Sequence, residues 1–362
     1  MNKMNVVIRT DASLEVGTGH VMRCVTLAKQ LERKGANVTF ICRNYPGNSI
    51  SYIQSQGFNV HIPSVRENQH HWQWRRDNWT QDAHETKRII ENLNKNVDLL
   101  IVDHYGLDAK WESALRPSIK HIMVIDDLAN RPHDCDILLD QNYYLNLQNR
   151  YTELVSGSCI QLLGPNFVLL RDEFISIDLK KIERDGSVKN VLVFFGGTDP
   201  TGETMKTIQA IQGINQFDIE FNVVVGEANP KKEKIEQICS QMSNVKYHCQ
   251  ISNMSELMVN ADLAIGAGGT TSWERCYLGL PSIIIIVADN QKEVANAVAE
   301  IGAAHCLGES TRVSDLNISK EIKELCNNSA LINEMIQGCW KIVDPNIVKS
   351  QMVIKNITEL LK

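Results

Sequence analysis

Short apolar runs alternate with longer amphipathic stretches along most of this chain. Gly, Asp or Asn bounds the runs, and each run has the length of one β-strand. The predicted strands of the first half cover 5–10, 37–42, 97–103, 122–127 and 135–140. Those of the second half cover 190–197, 219–226, 245–249, 261–269 and 281–287. Because buried parallel strands are continuous apolar runs joined by crossover helices, the pattern predicts an α/β fold.

The predicted strands fall into two series, and each series opens with a strand that runs directly into glycines. Between them, residues 169–190 are polar and charged and have no long apolar period. A chain of 362 residues also exceeds the size of a single hydrophobic core. We therefore predict two Rossmann-like open parallel-sheet domains that face a cleft. Their predicted bounds are 1–180 and 181–362, with a last helix that can return to the first domain.

Composition and charge narrow the class of protein. With 43% hydrophobic and 22% charged residues, the chain is typical of globular proteins. Its formal net charge of -6 provides no basic field for a nucleic-acid backbone, so we expect no nucleic-acid partner. Residues 70–79 combine aromatic side chains with two arginines, as base-stacking surfaces do. In an acidic chain we interpret them instead as a partly buried helix or loop over the cleft.

The sequence also predicts the compartment. The first residues enter a short strand without the apolar core of a signal peptide, and the apolar run at 283–287 is only strand-sized. The ten cysteines are scattered without C-x-x-C spacing, which is typical of reduced thiols rather than zinc sites or disulfides. We expect a cytoplasmic protein without stable membrane insertion, as a monomer or weak homo-oligomer.

A glycine-rich turn in the second half carries the more specific signal. The strand at 261–269 ends in glycines, hydroxyl side chains follow, and a helix then begins; the residues are Gly266, Gly268, Gly269, Thr270, Thr271 and Ser272. Glycines allow close backbone approach, and hydroxyls at a helix start favour an anion, so a diphosphate fits here. Glu274, one turn into the helix, can accept hydrogen bonds from ribose hydroxyls. A capped helix packed through glycines is the alternative interpretation.

A second turn follows the first strand of the same half. Gly196, Gly197 and Thr198 can close over the diphosphate from another side. The same residues are also typical of a strand-to-helix turn, with Asp199 as the cap and Pro200 at the first helical position. Ile251, which follows the strand at 245–249, is assigned to the same nucleotide site.

In the first half, a histidine follows a glycine pair. Gly17 and Gly19 predict a tight turn that places His20 at the start of a helix. Because a helix N-terminus disfavours imidazolium, we expect a neutral ring that can accept a proton as a general base. Asp11 and Arg23 are candidates to orient that ring or the substrate. The alternatives are a structural histidine and a surface ion pair.

Polar residues follow other predicted strands. Asp103 and Tyr105, with His104 between them, end one strand, and two carboxylates end the next. Carboxyl ends of parallel strands face the ligand crevice, so we assign Asp103 and Tyr105 to the substrate sugar. Asn290 and Gln291 can bind sugar hydroxyls or acetamido groups, or cap the next helix. Nothing in these segments fixes metal-ligand geometry, so we expect no metal and no cofactor.

Together these segments resemble the UDP-2,4-diacetamido-2,4,6-trideoxy-beta-L-altropyranose hydrolases of bacterial pseudaminic acid biosynthesis. The resemblance covers nearly the whole chain and is carried by residues 9–28, 102–108, 124–142, 162–174, 194–202, 266–283 and 289–291. That family is similar in fold to the UDP-GlcNAc-dependent GT-B transferase that makes the peptidoglycan lipid precursor. The resemblance implies a GT-B-like fold, ribose binding by Glu274 and a general base at His20. It also implies that water attacks the anomeric carbon with inversion and that UDP departs without a metal.

Three alternatives remain open at this point. A UDP-sugar-dependent glycosyltransferase of the same fold uses the same nucleotide pocket but delivers the sugar to an acceptor. The sequence has no basic amphipathic helix for docking at a membrane, which favours a dissolved substrate. A non-catalytic nucleotide-sugar-binding protein is the second alternative. An NAD-dependent oxidoreductase is weaker, because the first glycine turn lacks the dinucleotide fingerprint.

Overall fold

A computed structural model describes residues 3–13, 16–63, 78–93, 95–214 and 218–362. The chain forms two compact units. The first unit comprises Met1–Asn142, Asn146–Leu170 and Ser350–Lys362, and the second comprises Tyr143–Leu145 and Arg171–Lys349. The aromatic segment at 70–79 lies outside the described residues except for its last two positions. No helix in the described ranges is long and apolar enough to cross a membrane.

The first unit contains a parallel sheet of seven strands in the order β3-β2-β1-β4-β5-β6-β7. The strands are β1 (Asn5–Thr10), β2 (Asn37–Ile41), β3 (Asn59–His61), β4 (Val97–Asp103), β5 (Ile119–Ile125), β6 (Ile137–Asp140) and β7 (Ile160–Leu163). Of these, β3 and β7 were not predicted. Both are short and partly exposed strands at the sheet edges, so neither forms a recognisable apolar run.

Helices cover both faces of this sheet. They are α1 (Gly19–Arg33), α2 (Ile50–Ser55), α3 (Trp79–Asn92) and α4 (Ala109–Leu115). Successive side chains of a strand point to opposite faces. Accordingly, Val6 and Ile8 of β1 join the core that contains Leu27 of α1, whereas Val7 joins the core that contains Trp111 of α4. The unit is therefore doubly wound.

The second unit contains a parallel sheet of six strands in the order β10-β9-β8-β11-β12-β13. The strands are β8 (Asn190–Phe194), β9 (Glu220–Val225), β10 (Val245–Cys249), β11 (Leu263–Ala267), β12 (Ser282–Ile286) and β13 (Ala304–Glu309). The strand β13, a partly exposed edge strand of mixed polarity, was not predicted. The predicted β8 and β11 are too long, since β8 ends before Gly196, and β11 includes Gly266 but ends before Gly268.

The helices of the second unit connect and cover these strands. They are α5 (Asp172–Ile175), α6 (Glu203–Gln212), α7 (Lys232–Cys239), α8 (Met254–Asn260), α9 (Thr271–Tyr277), α10 (Lys292–Glu300), α11 (Asp315–Cys326), α12 (Ser329–Ile342) and α13 (Pro345–Lys349). The last helix, α14 (Met352–Leu360), belongs to the first unit. Its buried residues Val353, Ile354 and Ile357 pack in the same core as Leu27. Their spacing places them on one face of the helix.

The strand order fixes where each unit can bind a ligand. In both sheets the first strand of the unit lies between its second and fourth strands, so the chain direction across the sheet reverses beside the first strand. In open α/β sheets, ligands bind at the carboxyl ends of the strands at this switch point. The relevant strands are β1 and β4 in the first unit and β8 and β11 in the second.

Candidate functional site

The histidine turn of the first unit precedes α1. Gly17 donates its backbone N–H to the carbonyl of Ser13 at 2.8 Å, and its φ of +77° is a conformation that favours glycine. Thr18 is the N-cap residue, so His20 occupies the second position of the helix. The histidine side chain is buried, whereas Gly19 is exposed. The predicted turn and helix start are thus present, and the turn fixes where the imidazole ring begins.

His20 lies against the carboxylate that ends β4. Its Nδ1 is hydrogen-bonded to Oδ1 of Asp103 in a short contact. Arg23, one turn further along α1, donates from Nε to Oδ2 of Asp103 at 2.6 Å and from Nη2 to Oδ1 at 2.7 Å. Nη2 of Arg23 also lies 3.2 Å from Nδ1 of His20. Because Arg23 has only donors, we assign the bond of Nδ1 to the carboxylate, which makes Nδ1 the protonated nitrogen.

The electrostatics keep this carboxylate ionised. Burial raises the pKa of Asp103, but the charge of Arg23 and the hydrogen bonds from Arg23 and His20 outweigh burial, so the pKa lies well below its usual range. Arg23 also donates from Nη1 to Asp127 at 3.0 Å. The imidazole ring of His20 meets the ring of Tyr105 edge-on, with centroids 4.4 Å apart. Burial, followed by the charge of Asp127, raises the pKa of Tyr105, so the phenol stays protonated.

Asp11 lies in a second ionic network, at the carboxyl end of β1. It pairs with Arg9 at 2.9 Å and accepts the backbone N–H of Arg43 at 2.7 Å. Arg9 and Arg43 both bind the fully buried carboxylate of Asp82, which also accepts the indole N–H of Trp111 at 3.0 Å. Sequence reasoning missed Arg43, Asp82 and Trp111. Arg43 follows the end of β2, whereas Asp82 lies on α3 and Trp111 on α4, and no local pattern links them.

A buried acid ends β6 on the same sheet. Asp140 accepts the backbone N–H of Asn142 at 3.0 Å and the hydroxyl of Tyr151 at 3.1 Å, and Arg150 lies 3.3 Å away. Burial, assisted by the charge of Asp127, raises the pKa of Asp140 to about 7 despite the backbone bond and Arg150, which lower it. This side chain therefore changes charge near neutral pH.

In the second unit, the turn after β8 approaches the turn after β9. Gly196 has a φ of +90°, which favours glycine. A Cβ atom on Gly226 would lie 2.3 Å from the backbone oxygen of Gly197, so the two turns touch through backbone alone. Asp199 accepts the backbone N–H groups of Glu203 and Thr204, both at 2.9 Å. It caps α6 as the alternative interpretation predicted, but the helix begins only at Glu203, so Pro200 precedes it.

The turn after β11 leads into α9. The side chains of Thr270 and Thr271 are partly exposed at the start of this helix. That of Ser272 is buried and accepts a hydrogen bond from Arg275 at 2.9 Å, so its hydroxyl already has a protein partner. Gly268 lies close to Gln291: a Cβ atom added to this glycine would be 3.5 Å from the Cβ of Gln291.

The remaining candidates of this unit stand at neighbouring strand ends. Gln291 accepts the backbone N–H of Val287 at 3.2 Å and thereby closes the turn after β12. Asn290 is exposed in that turn, and Ile251 is partly exposed after β10. Thr198 follows the glycine pair after β8. The predicted nucleotide-binding residues thus lie at the carboxyl ends of strands of one sheet, as their positions after the predicted strands implied.

Glu274 is a buried carboxylate on α9. Its Oε1 accepts a hydrogen bond from Nε of Arg171 at 3.0 Å and forms an ion pair with Nη2 at 3.0 Å. Its Oε2 is buried and accepts no hydrogen bond from the described residues. Burial raises the pKa of Glu274, and the charge of Arg171 partly offsets this effect. Sequence reasoning found Glu274 but missed Arg171, which lies 103 residues earlier.

The described residues contain no cluster of three or more His, Cys, Asp or Glu side chains arranged to hold a metal ion. Chemically, the first unit offers a histidine whose orientation is fixed by an ionised acid. The second unit offers backbone N–H groups at glycine turns and, on α9, a carboxylate oxygen of Glu274 that accepts no hydrogen bond from the described residues.

Comparison with known proteins gives related matches along the chain. Residues 191–344 match the glycosyltransferase family 28 C-terminal domain. The chain is 25% identical to the UDP-2,4-diacetamido-2,4,6-trideoxy-beta-L-altropyranose hydrolase of Campylobacter jejuni, over 83% of this chain and 97% of that protein. It is 24% identical to the spore coat polysaccharide biosynthesis protein SpsG of Bacillus subtilis, over 98% and 99% of the two chains. The crystal structure of MurG from Acinetobacter baumannii matches with a TM-score of 0.67 at 16% identity, over 98% and 99% of the two chains.

These matches test the two broadest predictions. The GT-B fold is confirmed, because two parallel Rossmann-like sheets match a GT-B structure along nearly the whole chain. The predicted resemblance to the pseudaminic acid hydrolases is confirmed as well, since a protein of that name is similar over most of this chain. The chain is thus similar both to a UDP-sugar hydrolase and to glycosyltransferases.

Proposed function

We propose that this GT-B chain hydrolyses a UDP-linked 2,4-diacetamido-2,4,6-trideoxy sugar and releases UDP and free 2,4-diacetamido-2,4,6-trideoxy-L-altrose, in pseudaminic acid biosynthesis. The observation that carries the proposal is the bond between His20 Nδ1 and the ionised carboxylate of Asp103. The activity in the name of the Campylobacter jejuni relative supports the choice of substrate.

In the proposed reaction, His20 is the general base. Water forms a bond to the anomeric carbon while the bond from that carbon to the UDP oxygen breaks, with inversion. Nε2 of His20, the ring nitrogen that is not bonded to Asp103, accepts the proton of the water. Asp103 fixes the ring through Nδ1 and stabilises the imidazolium that forms.

Arg23 and Asp11 have different roles in this proposal. Arg23 keeps Asp103 ionised and oriented, because its guanidinium occupies both carboxylate oxygens. Asp103 takes the orienting role for His20, since it is the acid bonded to the ring. Asp11 holds the end of β1 through Arg9 and the backbone of Arg43. Tyr105 meets the imidazole ring edge-on, and Gly17, Gly19 and Tyr105 are proposed to contact the sugar.

The second unit is proposed to bind UDP. Backbone N–H groups at its glycine turns stabilise the diphosphate charge, and Glu274 accepts the ribose hydroxyls. The proposed UDP contacts are Gly196, Gly197, Thr198, Ile251, Gly268, Gly269, Thr270, Thr271, Ser272 and Glu274, with Asn290 and Gln291 on the sugar. Because UDP is a fair leaving group once its charge is stabilised, the proposed mechanism uses neither a metal nor a cofactor.

The test is to incubate the purified protein with the UDP-linked sugar in the absence of any acceptor. We expect UDP and free sugar in equal amounts, with the inverted anomer visible first by proton NMR. A panel of other UDP-linked amino sugars should react more slowly. Binding of the whole panel without turnover would contradict the proposal and favour a non-catalytic sugar-binding protein.

A glycosyltransferase is the second candidate, and the match of residues 191–344 to a glycosyltransferase family 28 domain favours it. A transferase would give little UDP without an acceptor and rapid UDP release once a suitable acceptor hydroxyl is added. The acceptor-free experiment therefore distinguishes the two enzymes.

A further inference from the structure

Arg171 is held in place by three side chains of its own unit. Its Nε donates to Oε1 of Glu274 at 3.0 Å, its Nη2 forms an ion pair with the same oxygen at 3.0 Å, and its Nη1 lies 2.5 Å from Oε1 of Glu173. The guanidinium carbon stands 4.9 Å from the ring centroid of Phe174, which is fully buried. These contacts fix the guanidinium before any ligand binds.

The network continues to the start of α8. Oε2 of Glu173 accepts the backbone N–H of Ser255 at 3.0 Å, in the first turn of that helix. One series of charged hydrogen bonds therefore joins α5, α8 and α9. Glu274 is the buried end of this series, with only 6% of the residue exposed.

The two carboxylate oxygens of Glu274 differ in their contacts. The hydrogen bond from Nε of Arg171 and the ion-pair contact from its Nη2 both go to Oε1, whereas Oε2 is buried and accepts no hydrogen bond from the described part of the chain. A buried acceptor without a partner is costly, so a donor from water or from a ligand is expected to satisfy Oε2. The arrangement is typical of an acceptor that is kept for donors of a ligand.

We propose that Arg171 is the positioning residue for ribose recognition: by binding Oε1, it turns Oε2 of Glu274 toward the ribose hydroxyls. The inference rests on the proposed binding of UDP by the second unit. A carboxylate held in this way selects ribonucleotides over nucleotides that lack the 2′ and 3′ hydroxyls. Arg171 thereby adds a nucleotide specificity to the proposed UDP site.

The positive charge of Arg171 also affects the pKa of Glu274. Burial raises the pKa of Glu274, and Arg171 is the main group that opposes this rise. Without the guanidinium, the carboxyl is more readily protonated and becomes a poorer acceptor for two hydroxyl donors. Arg171 therefore preserves both the direction and the charge of the acceptor.

The experiment measures binding rather than turnover. Calorimetry gives the Kd of UDP, 2′,3′-dideoxy-UDP and UMP for the wild-type protein and for Arg171→Met, Arg171→Lys and Glu274→Gln. Arg312→Met, at an exposed arginine of the same unit, is the matched control. Thermal unfolding of each variant verifies that it is folded.

For the wild-type protein, we expect UDP to bind about 10- to 100-fold more tightly than the dideoxy analogue, the value of a hydrogen bond to a charged group. In Arg171→Met and Glu274→Gln this ratio should fall below about threefold, with Arg171→Lys between them and the control unchanged. The ratio between UMP and UDP should remain that of the wild-type protein.

Two results would overturn the inference. If Arg171→Met keeps the full preference for UDP over the dideoxy analogue, Arg171 does not position Glu274. If it keeps that preference and instead loses the preference for UDP over UMP, Arg171 acts on the diphosphate. A wild-type protein that binds no UDP would overturn the proposed function itself, and this outcome is distinct from both.

Discussion

The carboxyl ends of the two sheets differ in the residues that follow their strands. Asp103, the last residue of β4 in the first unit, is an ionised acid that is bonded to His20 and Arg23. Glycines follow β8 and β11 of the second unit, and α9 carries Glu274, a carboxylate with one oxygen that accepts no hydrogen bond from the described residues. Both sheets reverse chain direction at these strands. The same topology therefore supports a fixed acid–base group in one unit and an open backbone surface in the other.

The difference follows from the cost of burying charge. Asp103 is fully buried, so it is stable as a carboxylate only with a complete set of donors. A turn made of glycine needs no such compensation, because its N–H groups can bind water or a ligand equally well. Side-chain clusters therefore suit chemistry, and glycine turns suit the binding of an anion.

The substitution with the largest expected effect removes the base from the first unit. His20→Asn should lower kcat by about a hundredfold to ten-thousandfold, the usual contribution of a general base, while the Kd of UDP changes less than about threefold. Steady-state kinetics and calorimetry on the same sample measure both. His84→Asn, at an exposed histidine of α3, is the matched control. Unchanged turnover in His20→Asn would remove this residue from the mechanism.

Asp103→Asn should have the next largest effect, because the ring of His20 loses its orienting acid. We expect kcat to fall by roughly tenfold to a thousandfold. Since both residues act on one proton, the double variant with His20→Asn should be no slower than His20→Asn alone. Additive losses in that cycle would show that Asp103 acts separately from His20.

Glu274→Gln should affect binding and leave the chemical step nearly unchanged. We expect the Kd of UDP to rise by about 10- to 100-fold, because a charged acceptor is lost, and kcat at saturation to stay within about threefold. Glu300→Gln, at an exposed glutamate of the same unit, is the control. A fall in kcat with an unchanged Kd would mean that the second unit contributes to chemistry, which contradicts the comparison.

The smallest effect concerns stability and pH. The pKa of Asp140 is about 7 in the folded protein, whereas an unfolded Asp has a pKa of about 3.9. The folded state therefore holds an extra proton between these values, and its stability falls as pH rises toward 7. Asp140→Asn should match the wild-type free energy of unfolding near pH 5 and exceed it by roughly 1–3 kcal/mol near pH 8. Urea unfolding at both pH values measures this, and an equal fall in both proteins would contradict it.

Most of the fold could be predicted from the sequence because its central strands are buried on both faces. Such strands, for example β4 and β12, are continuous apolar runs that need no tertiary information. The edge strands β3, β7 and β13 could not be found in this way, since exposure at an edge removes the apolar pattern.

The candidate site was predictable where a local pattern marks it. Glycine turns and the residues directly after strands located His20, Asp103 and Glu274. The pairing of His20 with Asp103 was not predictable, because it depends on which strands are neighbours. Strand β4 lies beside β1, and this brings Asp103 to His20 although 83 residues separate them in the sequence. Arg171 had no local signal at all, since its partner lies on a distant helix.

The most direct test of the central claim is hydrolysis in water enriched in ¹⁸O, followed by mass spectrometry of the released UDP. If water attacks the anomeric carbon with His20 as the base, the new oxygen belongs to the sugar, and UDP carries no label. One ¹⁸O atom in UDP would show attack at phosphorus and would contradict the account.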